Sequence, residues 1–390
     1  MDNSYVVIGS GRQGTASAYD LATQANASEV ILADINERVA KSAATRVNKL
    51  SGSKICRGLK LDVQNKKALK TILKDVDGCL SAVPYYYNLA ITKAAITAKA
   101  NMTDLGGNAQ VVAEQLKLDK EAKKAGITII PDCGMGPGMT GSLASYGISQ
   151  MDEAQDVFIW DGGLPQKPEP PWNYKLTFHI NGLTNEYDGQ AVYLRQGRKV
   201  KVPCFTEYEL VDFPPLGKLE AFVTSGGTST AIRVYKGKLR TYQNKTLRYP
   251  GHFKQFKAYQ LLGLFQLEPI KVGRQKVVPR EVFHALIEPK IKASPGFKDI
   301  CLIRVLVRGK KDGRLQQLKI EVVDKYDTKT HFTAMERLTG WHAAIMLEMA
   351  VRGMSKKGVL PLEKAVDPLR FLAEAKKRGF KIKEEWTNID

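Results

Sequence analysis

The run Tyr5-Val6-Val7-Ile8-Gly9-Ser10-Gly11-Arg12-Gln13-Gly14 decides the fold of this 390-residue chain. Its four leading apolar residues predict a buried strand, the glycines a tight turn, and the alanine-rich stretch to about Gln24 a helix. A second apolar run, Val30-Ile31-Leu32-Ala33, ends on Asp34. Strand, glycine turn, helix and a strand tipped by an acid form the pattern of a dinucleotide-binding unit. Gly9 permits the turn, Gly11 lets the backbone approach a diphosphate, and Gly14 allows close helix–strand packing. The helix start adds unpaired N–H groups and a positive dipole end. Asp34, 20 residues after Gly14, is placed to accept hydrogen bonds from an adenine ribose diol. That carboxylate repels a 2′-phosphate, so NAD is expected over NADP. Ser10, Arg12 and Gln13 complete the loop expected to face the cofactor. The alternative is a doubly wound domain whose turn has lost its ligand.

Outward from this unit, strand and helix keep alternating. Strands are expected at 55–61, 78–83, 102–105 and 127–130, with helices at 65–74, 88–99 and 111–125. Regular alternation implies right-handed crossovers and a parallel sheet, with ligand contacts at the strands' carboxyl tips. Those tips are Gly9–Gly14, Asp34, Asp62-Val63, Val83-Pro84-Tyr85, 104–108 and 132–138, and Asp62, Val63, Val83, Pro84, Gly107 and Cys133 join the expected cofactor contacts. Val83-Pro84 is placed to wall the nicotinamide end, although a strand followed by an ordinary turn reads the same way.

After Met139 the pattern changes. A helix at 140–150 and a strand at 157–160 precede Gly162-Gly163-Leu164-Pro165, which, with Pro168, Pro170 and Pro171, reads as an irregular loop. Residues 175–323 then carry β-rich segments at 176–180, 191–194, 221–224, 231–235, 300–307 and 318–323. Residues 334–352 read as a long amphipathic helix. The expected class is therefore α/β: an N-terminal Rossmann doubly wound parallel sheet over 1–131, an α+β domain with a mixed, largely antiparallel sheet over 132–330, and a helical segment over 331–390 that packs back on the Rossmann domain. The second domain should close over the first domain's cleft.

Composition narrows the class of function. With 43% hydrophobic and 25% charged residues the chain reads as soluble and globular. No uncharged apolar run reaches the roughly 18 residues of a membrane span, and the first strand begins too early for a signal peptide. Cys56, Cys79, Cys133, Cys204 and Cys301 are odd in number, widely spaced and form no CxxC, which points to reduced thiols in a cytoplasm and to no zinc site. The net charge of +19 is spread over helices rather than interleaved with stacking aromatics, so no nucleic-acid partner is expected.

Several further stretches carry a resemblance that runs nearly end to end. They are Asp104-Leu105-Gly106-Gly107-Asn108, Pro131-Asp132-Cys133-Gly134, Pro137-Gly138-Met139, Gly162-Gly163-Leu164-Pro165, Leu219-Glu220-Ala221-Phe222, Thr224-Ser225-Gly226-Gly227-Thr228-Ser229-Thr230, Arg248-Tyr249-Pro250-Gly251-His252 and Leu302-Ile303-Arg304-Val305. Together they resemble the lysine 6-dehydrogenase branch of the saccharopine dehydrogenase-like family. The resemblance implies NAD-dependent oxidation of the terminal amine of L-lysine to a semialdehyde that cyclises. Related members act on saccharopine or carboxynorspermidine, and Cys133-Gly134-Met135-Gly136 and Trp160-Asp161 depart from the pattern expected of lysine enzymes.

Such chemistry requires a neutral amine, a nicotinamide facing its carbon, and a fixed partner for the substrate carboxylate. It needs no metal, and the five histidines are too scattered to hold one. Arg248 is the expected carboxylate partner, since its planar fork suits bidentate pairing; a structural pair with a glutamate is the alternative. His252 is the expected general base or donor, although a lone histidine is more often structural. Ser225, Gly226, Gly227 and Thr228 are expected to offer N–H and hydroxyl contacts to substrate, or else merely to turn a hairpin. Gly163, Asp161 and Tyr174 are expected beside the cleft. Cys133 reads as a small packed residue rather than a nucleophile. The expected partners are a small amino-acid substrate and further copies of the chain in a homodimer or higher homo-oligomer. The rival from another class is a non-catalytic dinucleotide-binding regulator.

Overall fold

The first six strands are β1 (Asn3–Ile8), β2 (Ala27–Asp34), β3 (Cys56–Lys60), β4 (Gly78–Ser81), β5 (Asn101–Asp104) and β6 (Thr128–Ile130). The computed structural model describes residues 3–294 and 296–389. All six strands are parallel, in the order β6-β5-β4-β1-β2-β3. The order reverses between β1 and β4, which opens a crevice at their carboxyl ends. Tyr5–Ile8 of β1, Val30–Ala33 of β2 and all of β4 are buried, which is why these stretches read as continuous apolar runs rather than alternating ones.

The second sheet is built on β7 (Glu153–Pro165). β7 pairs in parallel with the strand Thr241–Arg248 and antiparallel with Asp299–Lys311, and six further strands extend the sheet to nine. The chain is thus α/β with a parallel Rossmann-type sheet and a second, mixed sheet. No helix among the described residues is long and apolar enough to cross a membrane.

Several local expectations are corrected. Residues 162–165 are not a loop but the end of β7, and Gly162 serves close packing: a Cβ there would stand 2.5 Å from the Leu247 carbonyl oxygen. Residues 231–235 form the helix Ala231–Tyr235, although Ile232, Val234 and Tyr235 favour strand; the tight turn at Ser229 and the Thr228 carbonyl start it. Residues 176–180 make one isolated bridge, Leu176 to Lys292, before the helix Ile180–Tyr187. The helix expected at 111–125 is two, Ala109–Leu116 and Asp119–Ala125, the second opening with two acids that suit its dipole.

The C-terminal segment differs most. Residues 334–352 are not one amphipathic helix. They run through Ala334–Glu336, a π turn over Arg337–Trp341, and His342–Val351, which is buried on nearly every face. The π turn brings Gly340 onto the helix Arg12–Gln24, where a Cβ would stand 2.8 Å from the Gln13 carbonyl oxygen. Nor is the segment wholly helical. Gly358–Val359 adds a seventh strand beside β6, and Ile382–Asn388 adds an edge strand to the second sheet. A buried ion cluster also ties it down: Arg378 pairs with Asp20 at 2.8 Å and with Glu348 at 2.5 Å.

Candidate functional site

The glycine loop suits a dinucleotide. Gly9 has φ +98°, and a Cβ there would press on the Ala82 carbonyl; at Gly14 one would overlap the Gly9 carbonyl. Gly11 is open on that side. It caps the helix Arg12–Gln24 with no side chain, and no acid lies in the first turn. The first N–H groups are thus left for an outside anion. Asp34 is held by two N–H groups, from Ser10 at 2.9 Å and Asn36 at 2.9 Å, and keeps lone pairs for a ribose hydroxyl. The Ser10 hydroxyl and the Gln13 side-chain oxygen are buried without partners. Val83 packs under Gly9, Pro84 opens the turn Tyr85–Tyr87, and Gly107, at φ +117°, faces the Tyr85 ring. Asp62 accepts the Gln64 N–H at 2.9 Å beside a half-buried Val63.

Two expected cofactor contacts lie elsewhere. Arg12 turns away from the loop and donates to the Ala293 carbonyl at 3.2 Å, where that carbonyl takes its charge. The Cys133 thiol lies in the core, 3.3 Å from the Ile130 carbonyl, and burial pushes it well above the ordinary thiol range.

The second cluster is drawn from distant parts of the chain. Arg248 ends the strand Thr241–Arg248, Tyr187 ends the helix Ile180–Tyr187, and His252 opens the helix His252–Leu261. Arg248 Nε donates to the Tyr187 hydroxyl at 2.8 Å, and Nη1 donates to the Leu247 carbonyl at 2.9 Å. Its Nη2 has only Glu186, at 3.9 Å, too far for a hydrogen bond. The Tyr187 hydroxyl accepts from Arg248 and also shares a hydrogen bond with His252 Nε2, 2.9 Å away, while His252 Nδ1 is buried with no hydrogen-bond partner. Burial, and then the Arg248 charge, push His252 well below its ordinary range, in keeping with neutrality. The ring stacks on Phe256 at 4.1 Å and is 1% exposed. His252 is thus buried behind Tyr187, whereas a base exposed to substrate was expected from the sequence.

Tyr174 covers Arg248, its ring centroid 5.0 Å from the guanidinium carbon, and its buried hydroxyl has no partner. Asp161 lies in β7 opposite Thr246 and accepts from Asn244 at 2.7 Å. Loss of solvent pushes its carboxyl up to about 6, with Asn244 and Arg248 opposing. Glu186, about a third exposed, is pushed up to about 7, again by loss of solvent against the pull of Arg248.

The turn over 225–230 joins the two regions. The Ser225 hydroxyl donates to the Asn185 carbonyl at 2.5 Å, and that of Thr228 to the Val192 carbonyl at 2.8 Å. Both hydroxyls are thus spent inside the protein rather than on a ligand. Gly226 has φ +91°; Gly227 lies against Asn244, the partner of Asp161; Ser229 donates across to Asp132. Gly163 is given to packing, since a Cβ there would stand 2.5 Å from Met335 Cε. Tyr187 and Glu186 were missed as site residues; they sit in a stretch with no motif. Asp132 and Ser229 lie in stretches the sequence did single out, a strand tip and the 224–230 run, but without a role of their own.

Two family models match the chain. The Saccharopine dehydrogenase NADP binding domain covers residues 5–130, and the Saccharopine dehydrogenase C-terminal domain covers residues 134–380. The chain belongs to the saccharopine dehydrogenase family. It is a saccharopine dehydrogenase-like oxidoreductase with an NAD(P)-binding domain. Among its relatives is the carboxynorspermidine synthase of Vibrio cholerae, 25% identical over 81% of this chain and 80% of that one. A saccharopine dehydrogenase [NADP(+), L-glutamate-forming] of Saccharomyces cerevisiae is 28% identical over 42% of this chain and 38% of its own length. The apo structure of the L-Glu-forming saccharopine dehydrogenase from S. cerevisiae shares the fold, with a TM-score of 0.79 at 19% identity over 99% of this chain and 100% of that one.

Proposed function

We propose that this chain oxidises the terminal amine of an amino acid with NAD, with L-lysine as substrate and its 6-semialdehyde as product. The observation that carries the reading is the state of Arg248. Among the described residues, Lys245, Arg280 and Arg378 are the other buried cations, and each pairs with a carboxylate at 2.7–3.1 Å. Arg248 alone keeps its carboxylate at 3.9 Å, with the donors of Nη2 unspent. One free guanidinium end suits one substrate carboxylate. It is a single free end, not a whole fork, so the contact is narrower than bidentate pairing. Asp161 and Glu186 both feel the Arg248 charge and suit the amines of a diamino acid.

The nicotinamide cofactor, when bound, supplies the hydride acceptor. Gly9–Gly14 would hold its diphosphate and Asp34 its ribose. Asp34 supports NAD over NADP, although the matching family model is named for NADP. The remaining work belongs to the side chains: Arg248 orients the substrate, Tyr174 and Tyr187 keep water from it, and His252 fixes Tyr187.

A second reading is a secondary-amine enzyme of the carboxynorspermidine type, favoured by the near full-length likeness to the Vibrio cholerae protein. Reduced-cofactor formation over lysine, ornithine, saccharopine and polyamines tests both. Turnover of lysine supports the first, turnover of a secondary amine alone supports the second, and turnover of neither rejects both. A homo-oligomer belongs to the same reading; sedimentation showing a monomer would reject it.

A further inference from the structure

We propose that Asp132 takes the proton from the substrate's ammonium group, a role that rests on the amine-oxidising reading above. Asp132 lies just past β6, at the carboxyl edge of the Rossmann sheet where the nicotinamide end of a dinucleotide belongs. It has φ +60°, unusual for a residue with a side chain, and is 3% exposed. One carboxylate oxygen, Oδ2, receives the Ser229 hydroxyl from the second domain. The other, Oδ1, is buried with no hydrogen-bond partner and lies against Gly106, where a Cβ would overlap it.

Asp104, at the end of the neighbouring strand β5, shows what a structural aspartate does here. Its Oδ1 takes the N–H groups of Gly106 at 2.8 Å and Asp132 at 3.1 Å, and its Oδ2 takes Gln115 at 2.8 Å. Asp104 is satisfied and Asp132 is not. A buried carboxylate oxygen left unpaired is costly, and such cost gathers at working sites.

The groups that face Asp132 set its proton affinity. They are Asp104 from β5, Glu363 from the C-terminal segment, the Ser229 hydroxyl from the turn over 225–230, and the Cys133 thiol next in the chain. Loss of solvent first, the Asp104 charge second and the Glu363 charge push the carboxyl up to about 7, with the Ser229 hydroxyl and the Gly107 N–H opposing. Both protonation states are thus populated near neutral pH, as a proton carrier requires. The step balances. An N–H bond of the ammonium breaks and its electron pair stays on nitrogen, while an O–H bond forms on Oδ1. A cation and an anion become a neutral amine and a neutral carboxyl. The reverse reaction returns the same proton.

The test compares wild type, Asp132→Asn and Ser229→Ala. Asp132→Asn should lower kcat for amine oxidation by roughly 10²–10⁴-fold and abolish the fall in rate below about pH 7, with NADH affinity by fluorescence unchanged. Ser229→Ala removes a bond to the charged form and should move that fall to higher pH. Infrared difference spectra give a readout apart from activity: a protonated-carboxyl band that titrates near neutral pH in wild type and is missing in Asp132→Asn. An Asp132→Asn protein with wild-type kcat and pH profile overturns the proposal, as does an unchanged carboxyl band. Should Asp132→Asn fail to fold, an unmoved profile in Ser229→Ala overturns it. If wild type oxidises no amine, the functional reading fails, and the infrared band alone decides whether Asp132 holds the titrating proton.

Discussion

The two candidate regions are built in opposite ways. The glycine loop comes from one contiguous stretch, is open, and presents backbone N–H groups. The Arg248 cluster draws on residues 161, 174, 186, 187, 248 and 252, is largely buried, and presents side chains whose charges have been shifted by burial. A cofactor common to many enzymes is met by backbone, which any glycine-rich turn supplies. A particular substrate is met by side chains that only the finished fold brings together. Changes in the first region should therefore alter which cofactor is used, and changes in the second which substrate.

The largest effect is expected at Arg248. Arg248→Lys should raise KM for the amino acid and lower kcat/KM by about 2–5 kcal/mol, the loss when a buried charge partner is left unpaired. Cofactor affinity should stay as it was. Steady-state kinetics with the amino acid varied, alongside NADH titration, checks this; equal losses on both sides would break the division between the two regions.

Next comes Asp34. Asp34→Ala should narrow the NAD-to-NADP ratio of kcat/KM by about 1.5–3 kcal/mol, a hydrogen bond to a charged group. It also frees the Ser10 and Asn36 N–H groups that the carboxylate now holds, so the loop should loosen with it. Kinetics with both cofactors decides it, and a wild-type preference for NADP would reject the role.

How much of this the chain reveals before folding follows the same division. The loop and the sheet that carries it were legible, because glycine spacing, buried strands and helix starts are set by neighbours in sequence. Arg248 was found in a stretch that carries the resemblance, Asp161 and Tyr174 as neighbours of the 162–165 run, and the structure does bring the three together. Tyr187 and Glu186 were not found, because their meaning comes from Arg248, some sixty residues on. Glycine and proline at 162–165 suggested a bend, whereas tertiary packing uses those glycines to admit Leu247 and Met335. The helix at 342–351 was expected to show one apolar face, but it is buried on nearly every side, with its polar His342 and Glu348 bonded inside the protein.

Smaller effects test the interior of the cluster. His252→Asn should cost kcat about tenfold, or 1.4 kcal/mol, less than the roughly 10²–10⁴-fold expected of a base in contact with substrate. A pH–rate profile separates the two: a positioning residue leaves the shape intact, and a base would make the remaining activity climb more steeply with pH. Smallest is Tyr174→Phe. Its hydroxyl has no partner in the protein, so removing it should leave stability unchanged or raise it by up to about 1 kcal/mol while KM rises. Thermal unfolding with matched kinetics checks both; a marked loss of stability would show that the hydroxyl serves the fold.

The central claim is that one guanidinium end holds one substrate carboxylate while the terminal amine is oxidised. Its most direct test is NADH formation by the wild-type chain with L-lysine and with cadaverine, the same diamine without the carboxylate. L-lysine should be oxidised, at a rate rising from neutral toward alkaline pH as its amine, of ordinary pKa about 10.4, becomes neutral. Cadaverine should be poorer in kcat/KM by about 2–5 kcal/mol. Equal turnover of the two, or NADH from neither, would contradict the account.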